Sequence, residues 1–184
     1  MRKEQTPIWK LPKFVRGKHE VVFDKEKSVF KPWIKDTPKI VRAALTADLD
    51  YWKCKKFIRE ADDLAQVTAT ISMNFPHLKL IWMTLISAEN YPHIGMTMFS
   101  AWCREVDILD NTIPTSTVDR MFIATKVGSP PGASNQQLFR HEFLEILVRV
   151  ANAKYRDTGR ANTYTDCLDL LMKDVLTKFT PRPW

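Results

Sequence analysis

The sequence predicts a mostly helical protein, and three observations lead to that fold class. The chain of 184 residues contains only five glycines, and 45% of it is apolar, which is enough for the core of one domain. Apolar side chains recur at helical spacing in several stretches, most clearly over residues 138–155. Four such stretches flank two short polar segments, which indicates two helix–loop–helix units. We therefore expect an all-α fold.

The second polar segment resembles a known calcium loop in its spacing. Leu138 is followed after three residues by Glu142 and Phe143, which begin the next apolar helix. In an EF-hand, an apolar residue at this spacing pairs the loop with its twin, and the Glu closes on calcium. The template places a twelve-residue loop at 131–142.

The same template fits residues 87–98, where Ile94 takes the eighth position and Met98 the twelfth. We expect the fold to be a pseudo-EF-hand pair with flanking helices, in which Ile94 and Leu138 meet as a short antiparallel bridge. The predicted helices of the two units are Phe75–Ile86, Phe99–Ile108, Val118–Val127 and Phe143–Tyr155.

Neither loop has the ligands that calcium needs, which are six to eight oxygens, a glycine at the sharp turn and a terminal Glu. One carboxylate per loop cannot offset the dehydration of the ion. We expect both loops to be metal-free and the protein to have no cofactor. The degenerate loop positions are Ser87, Glu89 and Met98 in the first loop, and Asn135 and Glu142 in the second.

The remaining helices follow from capping signals. Thr37-Pro38 predicts an N-cap followed by a proline at the first helical position, with a helix that weakens near residues 48–50 and resumes over 51–65. Asn74 is expected to cap Phe75–Ile86. Either Thr163 or Thr165 is expected to cap a last helix.

We expect Phe143, Ile146, Leu147 and Val150 to form the centre of the core. Five of the seven methionines lie between Met73 and Met121. With Trp82, Phe99 and Trp102 they fit either ordinary core packing or a cleft for a peptide.

The predicted organisation has an extended basic arm at 1–36, a helical segment at 37–66 and an EF-hand-like domain at 67–184. Within that domain the paired hands cover 75–155, and the last helix covers 164–178. Prolines and the lack of a repeat prevent the arm from building a core. It is either a solvated tail or a segment held by a partner.

The positive charge is concentrated in the first third of the chain. Residues 1–60 hold 16 Lys and Arg against 8 Asp and Glu, a balance of +8, whereas residues 61–184 hold 12 against 13. The first third therefore calls for an acidic partner. The basic and aromatic residues predicted to bind it are Trp9, Lys10, Lys13, Phe14, Arg16, Lys18, Phe23, Phe30, Trp33, Lys53, Lys55, Lys56 and Trp184.

Trp184 either docks on a neighbouring protein or precedes further sequence, and Lys53 to Lys56 alternatively form a solvated helix face. The longest nearly apolar run, at 80–88, is about half of a membrane span, so we expect no membrane partner.

Catalytic chemistry is not expected. The four histidines are scattered, no nucleophile motif or phosphate loop is present, and Glu142 and Glu145 are interpreted as surface charge. Cys54, Cys103 and Cys167 are too far apart in sequence for a zinc motif and predict buried thiols. We expect neither an enzyme nor a small-molecule substrate.

Several motifs resemble the degenerate EF-hand-like domain of ciliary and flagellar axonemal proteins of protists. They are SVFKPW at 28–33, NYPHI at 90–94, FSAWC at 99–103, DRMFIAT at 119–125 and RHEFLEILVRVANAKY at 140–155. The similarity covers residues 28–184 and departs from the family pattern in GSPPGASNQ at 128–136.

The resemblance implies a non-catalytic structural or scaffolding protein of the cytoplasm and cytoskeleton, placed in a cilium or flagellum axoneme. Its partners would be other proteins of a large assembly, including the acidic surface of tubulin, and not nucleic acid. Two alternatives from the residues are a calcium-responsive sensor subunit and a basic RNA-binding accessory subunit of a ribonucleoprotein.

Overall fold

The computed structural model describes residues 24–29, 31–32, 34, 36–88, 91–128 and 136–180. The chain divides into two compact units, Met1–Lys35 and Asp36–Trp184. In the described part of the first unit, a 3-10 turn spans Lys25–Lys27. An exposed ion pair of 3.2 Å between Lys27 Nζ and Asp24 Oδ2 closes this turn.

The described part of the larger unit contains six α-helices and a two-stranded antiparallel ribbon. In chain order these are α1 (Pro38–Tyr51), α2 (Ala61–Ser87), β1 (Ile94–Gly95), α3 (Met96–Glu105), α4 (Thr115–Lys126), β2 (Gln137–Leu138), α5 (Arg140–Ala151) and α6 (Tyr164–Lys178). A 3-10 turn (Cys54–Lys56) lies between α1 and α2, and a π-helical turn (Asn152–Arg156) extends α5. The predicted all-α class is confirmed.

Helix α1 begins as predicted and ends later than predicted. The Thr37 side chain accepts a hydrogen bond from the Ile40 backbone N–H, and Pro38 stands at the first helical position. The expected weakening near residues 48–50 is wrong, because Asp48 is buried and forms an ion pair with Arg140 that holds this turn against α5. The helix breaks after Tyr51 instead, and the predicted resumption over 51–65 is wrong, because only a 3-10 turn (Cys54–Lys56) precedes the next helix at Ala61.

Helix α2 is one continuous helix of 27 residues with Pro76 inside it. The prediction that Asn74 caps a new helix is wrong, since its side chain donates to the Thr70 carbonyl oxygen at 2.8 Å. An internal proline costs about 3 kcal/mol. The buried stripe that includes Val67, Ile71, Phe75, Leu78, Ile81 and Leu85 offsets that cost.

Helix α5 lies at the centre of the larger unit and contacts α1, α2, α4 and α6. Phe143, Ile146 and Leu147 are fully buried and Val150 is 1% exposed, so the predicted centre of the core is confirmed. Phe99 and Trp102 are also buried there. Their rings pack with Phe143 and therefore belong to the core and not to an open cleft.

Helix α6 packs on α2 and α5. Of its two candidate caps, Thr163 is the one used, because its side chain accepts from the Asp166 backbone N–H at 3.0 Å. The Thr165 hydroxyl instead donates to Asp63 Oδ1 at 2.6 Å and ties α6 to the start of α2.

The three cysteines are free and buried, as predicted. Burial raises the pKa of the Cys54, Cys103 and Cys167 thiols, so the unreactive thiol form dominates at neutral pH. None of the described helices is both long enough and apolar enough to cross a membrane.

Candidate functional site on the paired loops

The two polar loops meet as the sequence predicts. Ile94 pairs with Leu138 and Gly95 with Gln137 in an antiparallel ribbon. Both apolar side chains are fully buried. The short ribbon therefore joins the start of α3 to the start of α5.

The two predicted loops, 87–98 and 131–142, begin 44 residues apart in sequence, and the paired residues Ile94 and Leu138 share this offset. Along the sequence, this offset relates buried positions of α2 to buried positions of α4, and buried positions of α3 to buried positions of α5. Fully buried equivalent pairs are Leu78 and Phe122, Ile94 and Leu138, and Phe99 and Phe143. The larger unit thus contains two helix–loop–helix halves with matching core positions, which we call the first half (α2–α3) and the second half (α4–α5).

In the second half, the loop closes on an ammonium group of the protein itself. Lys126, the last residue of α4, donates to both carboxylate oxygens of Glu142, at 2.9 and 2.8 Å. Its side chain is 3% exposed and that of Glu142 is 1% exposed. The Phe139 backbone N–H also donates to Glu142 Oε2 at 2.9 Å. A buried carboxylate is therefore neutralised by an ammonium from the preceding helix.

The first half fills the equivalent positions with apolar side chains. Trp82 stands where the second half has Lys126, and Met98 stands where it has Glu142, as the 44-residue offset requires. Trp82 is buried and Met98 packs partly buried against the core. The two halves therefore share the order helix, loop, helix and differ in the side chains at these two positions.

Two further lysines donate to backbone carbonyl oxygens. Lys154, in the π-helical turn, is 4% exposed and donates to the Asp107 and Ile108 carbonyl oxygens and to Asp110 Oδ2, at 2.7, 2.9 and 2.8 Å. It thereby holds the segment that links the two halves. Lys53 donates to the Thr125 carbonyl oxygen at 2.6 Å and to that of Val127 at 3.1 Å, at the carboxyl end of α4, where the helix dipole favours a cation.

A chain of four aromatic rings lies over the second loop, and we call Tyr51, His93, Phe139 and His141 the aromatic strip. The Phe139 ring meets His93 edge to face at 4.5 Å between centroids and stacks on His141 at 5.9 Å. Tyr51 lies 5.5 Å from His141. Tyr51 is 69% exposed and Phe139 37% exposed, so the strip faces solvent.

The aromatic strip lies next to two ion pairs, Lys126 with Glu142 and Arg140 with Asp48. Lys126 Nζ lies 5.5 Å from the centre of the Phe139 ring. The neighbouring Arg140 guanidinium donates to Asp48 and lies 5.6 Å from the Trp82 ring. Partial burial lowers the pKa of His141, with further lowering by Lys53 and Lys126, while Glu142 and Asp48 oppose the shift. His141 is therefore neutral at pH 7.

Most of the predicted arm lies outside the described residues. This holds for the predicted partner-binding residues Trp9, Lys10, Lys13, Phe14, Arg16, Lys18, Phe23, Phe30, Trp33 and Trp184, and for the loop positions Glu89 and Asn135. Lys55 and Lys56 are exposed, and so is Ser87 at the end of α2.

The interpretation of Glu142 and Glu145 as surface charge is wrong. Both carboxylates are buried, because α5 is surrounded by other helices on most of its circumference. Glu145 accepts two hydrogen bonds from Arg149, at 3.0 and 2.9 Å.

The sequence analysis missed the buried roles of Lys126 and Lys154. Both lie at the ends of apolar helical patterns, where a lysine normally points into solvent. The signal available for Lys126 was its place 16 positions before Glu142, which matches the spacing from Trp82 to Met98.

Within the described ranges, no three His, Cys, Asp or Glu side chains are grouped as a metal site would require. Comparison with known proteins adds no assignment: no protein-family model, curated protein or solved structure matches the chain.

Proposed function

We propose that this chain is a non-catalytic structural component of a ciliary axoneme, in which a calcium-free EF-hand-like pair docks on other proteins of the assembly. The observation that carries the proposal is the bidentate contact between Glu142 and the Lys126 ammonium. In an EF-hand, the Glu at this loop position binds calcium with both oxygens. Here a covalently attached cation takes that place.

An attached ammonium supports a scaffold and opposes a sensor. A calcium sensor must release and rebind its ion, and its helices move when it does so. Lys126 is covalently attached to the chain and cannot dissociate, and its removal would leave the buried Glu142 carboxylate without an ammonium group to neutralise it. The second half is therefore suited to hold one conformation.

The ribbon supports the EF-hand-like interpretation of both halves. It joins the two loops at the predicted eighth positions, Ile94 and Leu138. The first half offers Met98 at the position of the terminal Glu. Neither half then needs an ion to keep its shape, which is the property that a permanent structural role requires.

The axonemal setting rests on the motifs at 119–125 and 140–155 and on the basic first third of the chain. A balance of +8 over residues 1–60 suits an acidic surface such as that of tubulin. The expected attraction between the basic residues and the acidic surface is electrostatic, so salt should weaken it.

Calcium titration of the full-length chain by calorimetry tests the scaffold interpretation. We expect no heat of binding at micromolar calcium, because Lys126 already neutralises Glu142. Saturable micromolar binding would favour a sensor instead.

Co-sedimentation with microtubules tests the setting. The full-length chain should pellet with microtubules at low salt, and a variant that lacks residues 1–36 should stay in solution with an unchanged melting temperature. Tight binding of single-stranded RNA with a steep salt dependence, and no microtubule binding, would replace the proposal with the ribonucleoprotein alternative.

A further inference from the structure

Phe139 is an unusual residue for the start of a helix, and its ring belongs to the aromatic strip. It stands at the N-cap of α5, where its side chain makes no capping hydrogen bond. Ser, Thr, Asp and Asn are preferred there, and their absence costs about 0.5–2 kcal/mol. The Glu142 carboxylate instead accepts from the Phe139 backbone N–H, and the Phe139 ring lies partly exposed beside His93 and His141. A departure from local preference of this kind is expected at functional surfaces.

The charges around the strip leave a positive excess. Asp48 is paired with Arg140, and Glu142 with Lys126. Lys53 meets backbone carbonyl oxygens and not a carboxylate. The rim of the strip therefore keeps the charge of Lys53.

Two exposed lysines extend this rim. Lys55 and Lys56 follow Lys53 in the same turn. Lys56 Nζ lies 3.5 Å from the point that a Cβ atom on Gly128 would occupy, so it reaches the carboxyl end of α4. The acidic Asp50 lies with Lys39 and Arg42 in a shallow depression along another face of α1.

We propose that the aromatic strip and the basic rim of Lys53, Lys55 and Lys56 form a docking site for an acidic peptide segment of a partner protein. The segment would place an aromatic or proline side chain against Phe139 and Tyr51, and its carboxylates against the lysines. Apolar anchors with a charged rim are the usual anatomy of such interfaces. The site deepens the proposed function, since it rests on the chain being a protein-binding component.

The ring geometry favours a peptide over a single-stranded nucleic acid. A nucleic-acid platform offers open ring faces on which bases stack. In the strip, Phe139 and His141 are parallel within 7°, with centroids 5.9 Å apart, and His93 stands at 73° to Phe139. The rings therefore share no common plane, and such an uneven surface suits the side chains of an extended peptide.

The test is fluorescence anisotropy of a labelled synthetic peptide that alternates glutamate with tyrosine, titrated with the full-length chain. Phe139→Ser removes the ring and supplies a capping hydroxyl, so the fold should remain stable. We expect this variant to bind about tenfold more weakly, which corresponds to about 1.4 kcal/mol. The matched control is Leu170→Ser, since Leu170 is also 37% exposed but lies on α6, and it should bind like the wild type.

A second variant guards against misfolding of the first. Tyr51→Ser should weaken the same peptide at an unchanged melting temperature, because Tyr51 is the most exposed ring of the strip. A peptide with serine in place of tyrosine should still bind the basic arm, but its affinity should not depend on Phe139.

Substitution of two lysines tests the contribution of the basic rim. Replacing both Lys55 and Lys56 with Gln should weaken binding at low salt and flatten its salt dependence. The same change at Lys39 and Lys173, two exposed lysines on other helices, should have a smaller effect.

Wild-type affinity in both Phe139→Ser and Tyr51→Ser would overturn the proposal. So would tighter binding of a single-stranded oligonucleotide that Phe139→Ser abolishes, which would make the strip a nucleic-acid site. A full-length chain that does not bind microtubules but binds the peptide in a strip-dependent way would contradict the proposed axonemal setting and support the docking site.

Discussion

The two halves of the larger unit differ in the side chains at matching positions, which are apolar in the first half and charged in the second. Each must fill the space between the end of one helix and the start of the next, across a loop that joins the ribbon. At the positions related by the 44-residue offset, the first half has the apolar residues Trp82 and Met98, and the second has the ion pair of Lys126 and Glu142. The offset between the two predicted loops, 87–98 and 131–142, relates these positions, and Ile94 and Leu138 share it.

The difference between the two halves predicts how sensitive each of them is to substitution. An apolar filling tolerates the loss of a few atoms, because its neighbours relax into part of the space. A buried ion pair does not tolerate the loss of one member, since the other charge is left without compensation. The second half should therefore be the more sensitive to single substitutions and the more specific in its conformation.

Removing the internal cation should have the largest effect. In Lys126→Met, the Glu142 carboxylate remains buried without its ammonium, and we expect a loss of about 3–5 kcal/mol in the free energy of unfolding. Urea denaturation followed by circular dichroism measures it. Lys173→Met, at an exposed position of α6, is the control and should change stability by less than about 0.5 kcal/mol. Equal midpoints for the two variants would refute the structural role of Lys126.

Truncating the shared core should come next. Leu147 of α5 and Cys103 of α3 are equivalent positions, and both are fully buried. Leu147→Ala should cost about 2–5 kcal/mol through the cavity that it leaves. Cys103→Ala removes a single sulfur atom and should cost less. A Leu147→Ala protein that melts at the wild-type temperature would show that this face of α5 is not the core.

Removing the cation of the linker should have a smaller effect than removing Lys126. Lys154→Met leaves the Asp107 and Ile108 carbonyl oxygens without a donor, but the Asp110 side chain is 36% exposed and water can solvate it. We expect a loss of about 1–3 kcal/mol. Denaturation beside Lys126→Met gives the ranking, and a larger loss for Lys154→Met would reverse the comparison.

The smallest effect should come from pH. Burial lowers the pKa of His141 from its ordinary value of 6.5, so the unfolded chain binds a proton more readily than the folded one. The contribution of His141 is therefore complete above pH 6.5 and is lost as the pH falls through the folded pKa. Between pH 7 and pH 5 the wild type should lose more stability than His141→Gln. Equal losses of stability in the two proteins would show that His141 does not contribute to the pH dependence.

The sequence was sufficient for the parts that follow from periodicity and local capping. The all-α class, the Thr37 cap, the α5 core and the Ile94–Leu138 bridge all come from patterns of spacing. The continuity of α2 through Pro76 could not be predicted in this way, because burial against other helices outweighs a local helix breaker.

The ion pairs could not be predicted from the sequence for a related reason. Lys126 and Lys154 are lysines at helix ends, and a sequence pattern assigns such residues to the surface. Only the packing of α4 and α5 brings the Lys126 ammonium to Glu142. The aromatic strip was equally invisible, since its rings come from three separate segments of the chain.

The most direct test of the internal cation is a double-mutant cycle at Lys126 and Glu142. The four proteins are the wild type, Lys126→Met, Glu142→Met and the double variant, which copies the apolar filling of the first half. Each single change should be strongly destabilising, and the double variant should recover most of the loss, which gives a coupling of about 3 kcal/mol between the two sites. Losses that add within about 0.5 kcal/mol would show that the two side chains do not act as a pair and would contradict the account.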